Sequence, residues 1–338
     1  MAFLSDQAME RLRNLEIAPD FSGTRYSLVR FIARGGMGAV YLAEDKTLDR
    51  RVAIKVLDAA DPEGERADRL GREARILAEL EHPGIVPVHD LGRLADGRIF
   101  YAMKFIEGAR IDQFLAGLLS LPERLRLFLR ISDAVAFAHS RGILHRDLKP
   151  ANVMVGAFGE VLVMDWGLGE FLPRPSLGTA AAAPVPASAS TSAGGEAGHL
   201  SGKTQAGLVV GTPGFMSPEQ AAGSSASLDQ RSDVFSLGKL LQFVVETPLG
   251  GGSAGFELSR PLRAICGKAT SADPALRYQA VLELSLDISR YLDGAPVSAH
   301  RENWGERFLR FYRRYQPAIL LILAYLLMRA LFVIYSRH

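Results

Sequence analysis

The spacing of the apolar residues changes partway along the chain, and that change limits the fold more than any other feature. From Tyr26 the segments YSLVRFI, AVYLAE and RVAIKVL alternate β-branched or aromatic residues with polar ones across tight connections, the period-two pattern of antiparallel strands. Residues 62–80 then read as a helix, with Pro62 at its start, His82-Pro83 at its end, and Leu70, Ala74, Leu77 and Leu80 on its apolar face. From about residue 110 helical spacing dominates. Leu125, Phe128, Leu129, Ser132, Val135, Ala136 and His139 mark a helix over 122–141, opened by Pro122 and closed by Gly142. Short strands are expected at 153–155 and 161–164, and helices at 233–246, 259–269 and 278–293. Strands collected ahead of helices predict an α+β chain.

Three stretches stand apart. Residues 1–24 read as a short helical extension with a turn-rich exit. Residues 173–207 are Ala, Pro, Ser, Thr and Gly with Arg174, Glu196 and Lys203 as their only charges; such a stretch buries too little apolar surface to order itself and reads as a flexible insertion. Residues 318–335 (AILLILAYLLMRALFVIY) are apolar apart from Arg329. Eighteen helical residues reach about 27 Å, close to the roughly 30 Å of a bilayer core, so 317–335 is expected to span a membrane. Arg329 costs roughly 2.5–3.5 kcal/mol at mid-bilayer, but it lies toward one end and its long side chain can reach the interface. Arg307, Arg310, Arg313 and Arg314 precede the span and only Arg337 follows it, which puts the preceding chain in the cytoplasm. Trp304, Phe308, Phe311, Tyr312 and Tyr315 share a helical stripe in the basic segment 300–316, as at a membrane interface. The rival reading is a C-terminal helix buried against the rest of the fold.

Charge and cysteine narrow the classes further. Thirty-nine basic against 37 acidic residues leave a net charge of +2, too little for a protein held mainly to nucleic-acid phosphates. The single cysteine, Cys266, cannot form an internal disulfide, which suits a reducing compartment. The first residues lack the apolar run of a secretory signal.

Four segments carry chemistry. Ile32-Ala33-Arg34-Gly35-Gly36-Met37-Gly38-Ala39-Val40 joins two strand patterns, and its glycines allow a hairpin whose backbone can approach an anion. In Val52-Ala53-Ile54-Lys55 the lysine shares the inward strand face with Ala53, where a charge needs a partner. Glu73, among Leu70 and Leu77 on the apolar side of the next helix, supplies one and would aim the ammonium at a phosphate. In His145-Arg146-Asp147-Leu148-Lys149-Pro150-Ala151-Asn152, Asn152 follows Asp147 by five positions, the catalytic-loop spacing of phosphoryl-transfer enzymes. Asp165-Trp166-Gly167 comes directly after an apolar strand, 13 positions beyond Asn152.

With these four in order, the chain resembles a bacterial eukaryotic-like Ser/Thr protein kinase from about Tyr26 to Ala299. Further matches are His82-Pro83-Gly84-Ile85-Val86, Gly211-Thr212-Pro213-Gly214-Phe215-Met216-Ser217-Pro218-Glu219, Asp233-Val234-Phe235-Ser236-Leu237-Gly238, and Arg277 after Asp273-Pro274. The resemblance implies a bilobal kinase domain over 25–299, with a β-rich lobe over 25–103 and a helical lobe over 107–299. The hinge would be Lys104-Phe105-Ile106, preceded by Met103 as gatekeeper. ATP would lie under residues 32–40 and against Ala53, Lys55, Met103 and Phe105. Asn152 and Asp165 would hold Mg²⁺, with Mn²⁺ as an alternative. Asp147 would accept the substrate hydroxyl proton and Lys149 would steady the phosphoryl group. Glu219 and Arg277 would form a buried ion pair, and Asp233 would brace the catalytic loop.

Lys149 and Thr212 resemble Ser/Thr rather than Tyr kinases. Arg146 implies control by phosphorylation of the 165–219 segment, with Thr204, Thr212 and Ser201 as acceptors. The expected protein is a membrane-anchored enzyme facing the cytoplasm across the inner membrane. It would act on Ser/Thr-bearing proteins and on itself, and would pair with a second copy. The competing reading, a pseudokinase scaffold, predicts loss of Lys55, Asp147, Asn152 or Asp165, and all four are present. Four features depart from the family pattern: Ala33 in place of a glycine, Trp166 in place of the usual Phe, a stretch of 54 positions from Asp165 to Glu219 that is longer than the family usually has, and a short Gly-rich stretch over 246–259.

Overall fold

A computed structural model of the chain describes residues 19–35, 38–57, 64–115, 117, 120–171, 214–223, 228–248, 258–301, 304–305, 320–329 and 335. The first lobe is a five-stranded antiparallel sheet in the order β1-β2-β3-β5-β4: β1 Tyr26–Arg34, β2 Gly38–Asp45, β3 Arg50–Leu57, β4 Val88–Arg93 and β5 Ile99–Lys104. Strand β3 has a neighbour on each side, so Val52 through Leu57 are buried without interruption. That burial encloses Lys55. One helix, α1 (Glu65–Glu79), covers the sheet and buries Leu70, Ala74, Ile76 and Leu77. It starts after Gly64, whose φ of 77° breaks helical geometry; the expected start at Pro62 lies outside the described residues.

Phe21 is buried edge-to-face against Phe100, with ring centroids 5.8 Å apart. Phe21 therefore packs onto the sheet from just ahead of β1.

After Phe105 and Ile106 the chain forms β6 (Gly108–Arg110), α2 (Ile111–Phe114) and the long helix α3 (Leu121–Ser140). Ser120 and Glu123 close a capping box at the start of α3, and Gly142 turns the chain at its end with φ 75°. Strands β7 (Ile143–Leu144), β8 (Val153–Gly156), β9 (Val161–Val163) and β10 (Glu170–Phe171) form small sheets in the orders β6-β8-β9 and β10-β7. Helices α4 (Pro218–Ala221), α5 (Gln230–Glu246), α6 (Arg260–Ala269) and α7 (Val281–Leu292) complete the second lobe. Helix α5 begins three residues before expectation, because the Asp229 carboxylate accepts the Arg231 N–H and caps it. The five-stranded sheet precedes the long helices of the second lobe, as the periodicity predicts, although the apolar spacing does not separately mark β4, β5, β6, β7 and β10.

Residues 1–18, the insertion 173–207 with Ser201 and Thr204, and Thr212 lie outside the described residues. Among the described residues no helix is long and apolar enough to cross a membrane. Only 320–329 and 335 of the expected span are described. There Leu320, Leu321, Ile322, Leu323, Tyr325, Leu326, Leu327 and Met328 are all exposed, so this stretch is not packed against the lobes.

Candidate active site

Lys55 meets its expected partner. Its Nζ donates to both carboxylate oxygens of Glu73, at 2.8 Å each. The same ammonium lies 3.2 Å from Oδ1 of Asp165, which follows β9. Burial opposes the charge on Lys55, but Glu73 and Asp165 outweigh it and raise its pKa. Burial likewise works against the Asp165 carboxylate, yet Lys55 holds its pKa below the usual value, so Asp165 stays ionised. Tyr101, next to Lys55 across the sheet, donates its hydroxyl to Glu73 Oε1 at 2.8 Å. No pattern in the sequence pointed to Tyr101, since a tyrosine in a strand reads simply as core.

The second half of the site is the loop after β7. Lys149 Nζ lies 2.7 Å from Asp147 Oδ2. Asn152 donates its amide to the Asp147 carbonyl at 2.8 Å and to Oδ2 at 3.2 Å. This turns the amide nitrogen inward and leaves the side-chain oxygen as the donor atom for a cation. The loop hangs from Asp233, in the first turn of α5. Its Oδ2 accepts the His145 N–H and its Oδ1 the Arg146 N–H, both at 2.8 Å, and His139 Nε2 donates to Oδ2 at 2.8 Å. These bonds hold Arg146 at φ 68°, and Asp165 stands at φ 59°. Both are left-handed conformations that non-glycine residues adopt only when their surroundings enforce them.

His145 is fully buried, and burial keeps its pKa low. It accepts the Asp147 N–H on Nδ1 at 3.2 Å and donates from Nε2 to the Met164 carbonyl at 3.1 Å. Trp166 packs 4.5 Å from the His145 ring and is itself fully buried. The ring in the place of the usual Phe thus links the two loops.

The glycine hairpin sits between β1 and β2, where Gly35 N–H donates to the Gly38 carbonyl at 2.8 Å. Gly36 and Met37 lie outside the described residues. Gly38 is required for packing as well as for any approach to an anion, because a Cβ there would collide with the Val56 carbonyl. Ile32, Ala33 and Arg34 end β1, while Ala39 and Val40 open β2 opposite Val56 and Lys55. Ala53 pairs with Met103 across β3 and β5, and Phe105 follows directly after β5. Glu219 and Arg277 form the expected pair, with bonds of 2.7 and 2.8 Å.

Among the described residues no group of three or more His, Cys, Asp or Glu side chains is placed to hold a metal ion. One carboxylate and one amide oxygen do fit a hard divalent cation that completes its shell with phosphate oxygens and water. An inward ammonium, such an oxygen pair and a carboxylate beside a lysine, set between a sheet lobe and a helical lobe, define a phosphotransfer centre of the protein-kinase kind.

The protein kinase domain family model (Pkinase) matches residues 26–252, and the chain belongs to that family. Serine/threonine-protein kinase PknD of Chlamydia felis is 35% identical over 308 residues, covering 80% of this chain and 31% of that protein. PknD of Protochlamydia amoebophila is 33% identical over 320 residues, covering 83% and 31%. The chain thus spans about a third of the length of these curated relatives. The crystal structure of the Mycobacterium tuberculosis PknI kinase domain is similar over 79% of this chain and 95% of that one, at 26% identity and a TM-score of 0.53.

Proposed function

We propose that this chain is a Ser/Thr protein kinase that transfers the γ-phosphate of ATP to hydroxyls of proteins, itself included. The observation that carries the reading is the convergence of Lys55, Glu73 and Asp165 at one side and Asp147, Lys149 and Asn152 at the other. When bound, ATP supplies the phosphoryl group and Mg²⁺, or Mn²⁺ in its place, neutralises phosphate charge. Asp165 and Asn152 offer the cation its hard oxygen donors. Lys55, steadied by Glu73, presents its ammonium to phosphate oxygens, while Ala53, Met103 and Phe105 form the nucleotide's apolar seat under residues 32–40. Asp147 takes the proton of the acceptor hydroxyl, which contributes about 10²–10⁴-fold. Lys149 counters the negative charge beside it. Ser/Thr rather than Tyr acceptors follow from Lys149 and Thr212, and from the names of the similar PknD proteins.

The anchor belongs to the same reading. Apolar side chains exposed over 320–329, preceded by four arginines, support a single span in the inner membrane with the kinase domain cytoplasmic. Protein substrates, the bilayer and a second copy of the chain are its partners, and nucleic acid is not. Full-length protein incubated with radiolabelled ATP and Mg²⁺ should label itself, and Asp147→Asn should lower incorporation at least about 100-fold. Folded wild-type protein that takes up no label would refute the assignment.

A further inference from the structure

The clearest contact at the site that phosphotransfer does not yet explain is the Tyr101 hydroxyl. Tyr101 is 2% exposed and sits within the same apolar cluster as Leu57, Leu70, Ile76 and Leu77. A phenylalanine would fill this space equally well, so packing accounts for the ring and not for the oxygen. A buried hydroxyl needs a partner, and the partner here is Oε1 of Glu73 at 2.8 Å. Lys55 and Tyr101 are directly paired in antiparallel strands, so their side chains stand on one sheet face, with Lys55 Nζ 5.9 Å from the Tyr101 ring centre. Glu73 comes from the helix opposite. The carboxylate is therefore gripped from two strands at once, Oε2 by Lys55 and Oε1 by Lys55 and Tyr101 together.

We propose that Tyr101 is a positioning residue that fastens α1 to the sheet through Glu73 and so keeps Lys55 aimed at the nucleotide. The physical basis is a penalty on the alternative. If α1 moves outward, Glu73 leaves, and the Tyr101 hydroxyl stays in apolar surroundings with its partner gone. A tyrosine thus disfavours the unseated helix in a way a phenylalanine would not. Lys55 contacts Asp165 as well as Glu73 and, in the kinase reading, also has a phosphate to meet. Among the described residues the Tyr101 hydroxyl bonds only Glu73, and it keeps hold of Glu73 while the lysine turns to the nucleotide. Apparent nucleotide affinity scales with the fraction of molecules whose helix is seated.

The proposal rests on the kinase reading, and the test separates the two. Full-length wild-type and Tyr101→Phe proteins are compared for binding of a fluorescent ATP analogue with Mg²⁺, and for amide hydrogen exchange without nucleotide. Tyr101→Phe should bind the analogue about three- to tenfold more weakly and exchange faster over 65–79, with exchange over α3 and α5 unchanged. In a Glu73→Ala background, Tyr101→Phe should neither lower the thermal midpoint nor speed exchange further. Equal binding and equal exchange over 65–79 in the two proteins would overturn the proposal, as would the same loss of thermal midpoint in both backgrounds. If wild type itself binds no ATP analogue, the kinase reading fails, and the exchange measurement still decides the role of Tyr101.

Discussion

Arg277 is wholly buried, and among the described residues its guanidinium has a single carboxylate partner, Glu219. The Ser271, Ala272 and Arg231 carbonyls take its remaining N–H groups. Burial works against the Glu219 carboxylate, but the Arg277 hydrogen bonds prevail and its pKa falls from 4.5 to about 2. A carboxyl with a depressed pKa in the folded state adds stability that is fully present above its unfolded value and is lost as acid protonates it. Glu219→Gln should therefore cost up to about 3 kcal/mol at pH 7, the low end for breaking a fully buried pair, because Glu219 is only partly buried and the carbonyls still hold Arg277. The gap between wild type and variant should narrow as pH falls from 4.5 toward 2, read from urea midpoints at pH 7, 4.5 and 3. A gap that stays constant would mean that the pair is not what stabilises this corner. The same reasoning made Lys55 and Glu73 legible in the sequence: a charge on a buried strand face and another on a buried helix face demand each other. Tyr101 was not legible, since a tyrosine is at home in any half-apolar strand and its hydroxyl partner depends on how α1 docks.

Helix α5 works as a bracket more than as a spacer. Its first turn carries Asp233, and that one carboxylate accepts from two successive backbone N–H groups of the catalytic loop and from His139 at the end of α3. The left-handed Arg146 depends on this grip. Asp233→Ala should leave the His145 and Arg146 backbone N–H groups and the His139 ring N–H without this acceptor, at about 1–3 kcal/mol for each one that stays buried, and should lower kcat by about 100-fold through misplacement of Asp147. Asp233→Asn keeps one acceptor oxygen and should fall between wild type and alanine in both thermal midpoint and kcat. If alanine lowers the midpoint while kcat is kept, the loop is held by something else. By contrast Ser120→Ala, at the capping box of α3, should cost about 1 kcal/mol and leave kcat unchanged. Helix interiors were readable because their apolar spacing is set by burial. Their ends were less so: α5 begins at an Asp229 cap and α1 only after the left-handed Gly64, local hydrogen bonds and dihedrals that apolar periodicity does not report. The weakly patterned strands β6, β7 and β10 exist because the second lobe pairs them.

At the scale of the whole molecule, the proposed membrane anchor makes predictions of its own. Eight large apolar side chains between Leu320 and Met328 are exposed. Moving each from water into hydrocarbon is worth about 1.5–3 kcal/mol for the aliphatic ones. Their sum outweighs the roughly 2.5–3.5 kcal/mol that Arg329 costs at mid-bilayer, so the balance favours insertion over a water-exposed helix. A surface helix held by arginines on anionic lipid would weaken as salt screens the charges, whereas burial of leucines in hydrocarbon would not. Full-length protein should therefore sediment with membranes in 1 M salt and at alkaline pH, and enter solution only with detergent. Deleting 317–338 should move it to the soluble fraction while leaving the rate of peptide phosphorylation per molecule within about twofold, because the truncation touches none of Lys55, Asp147, Asn152 or Asp165. Autophosphorylation between copies should fall further than peptide phosphorylation, since confinement to a membrane raises the effective concentration of one copy around another. Release of the full-length chain by salt alone would remove the anchor and leave the basic segment 300–316 as the membrane contact.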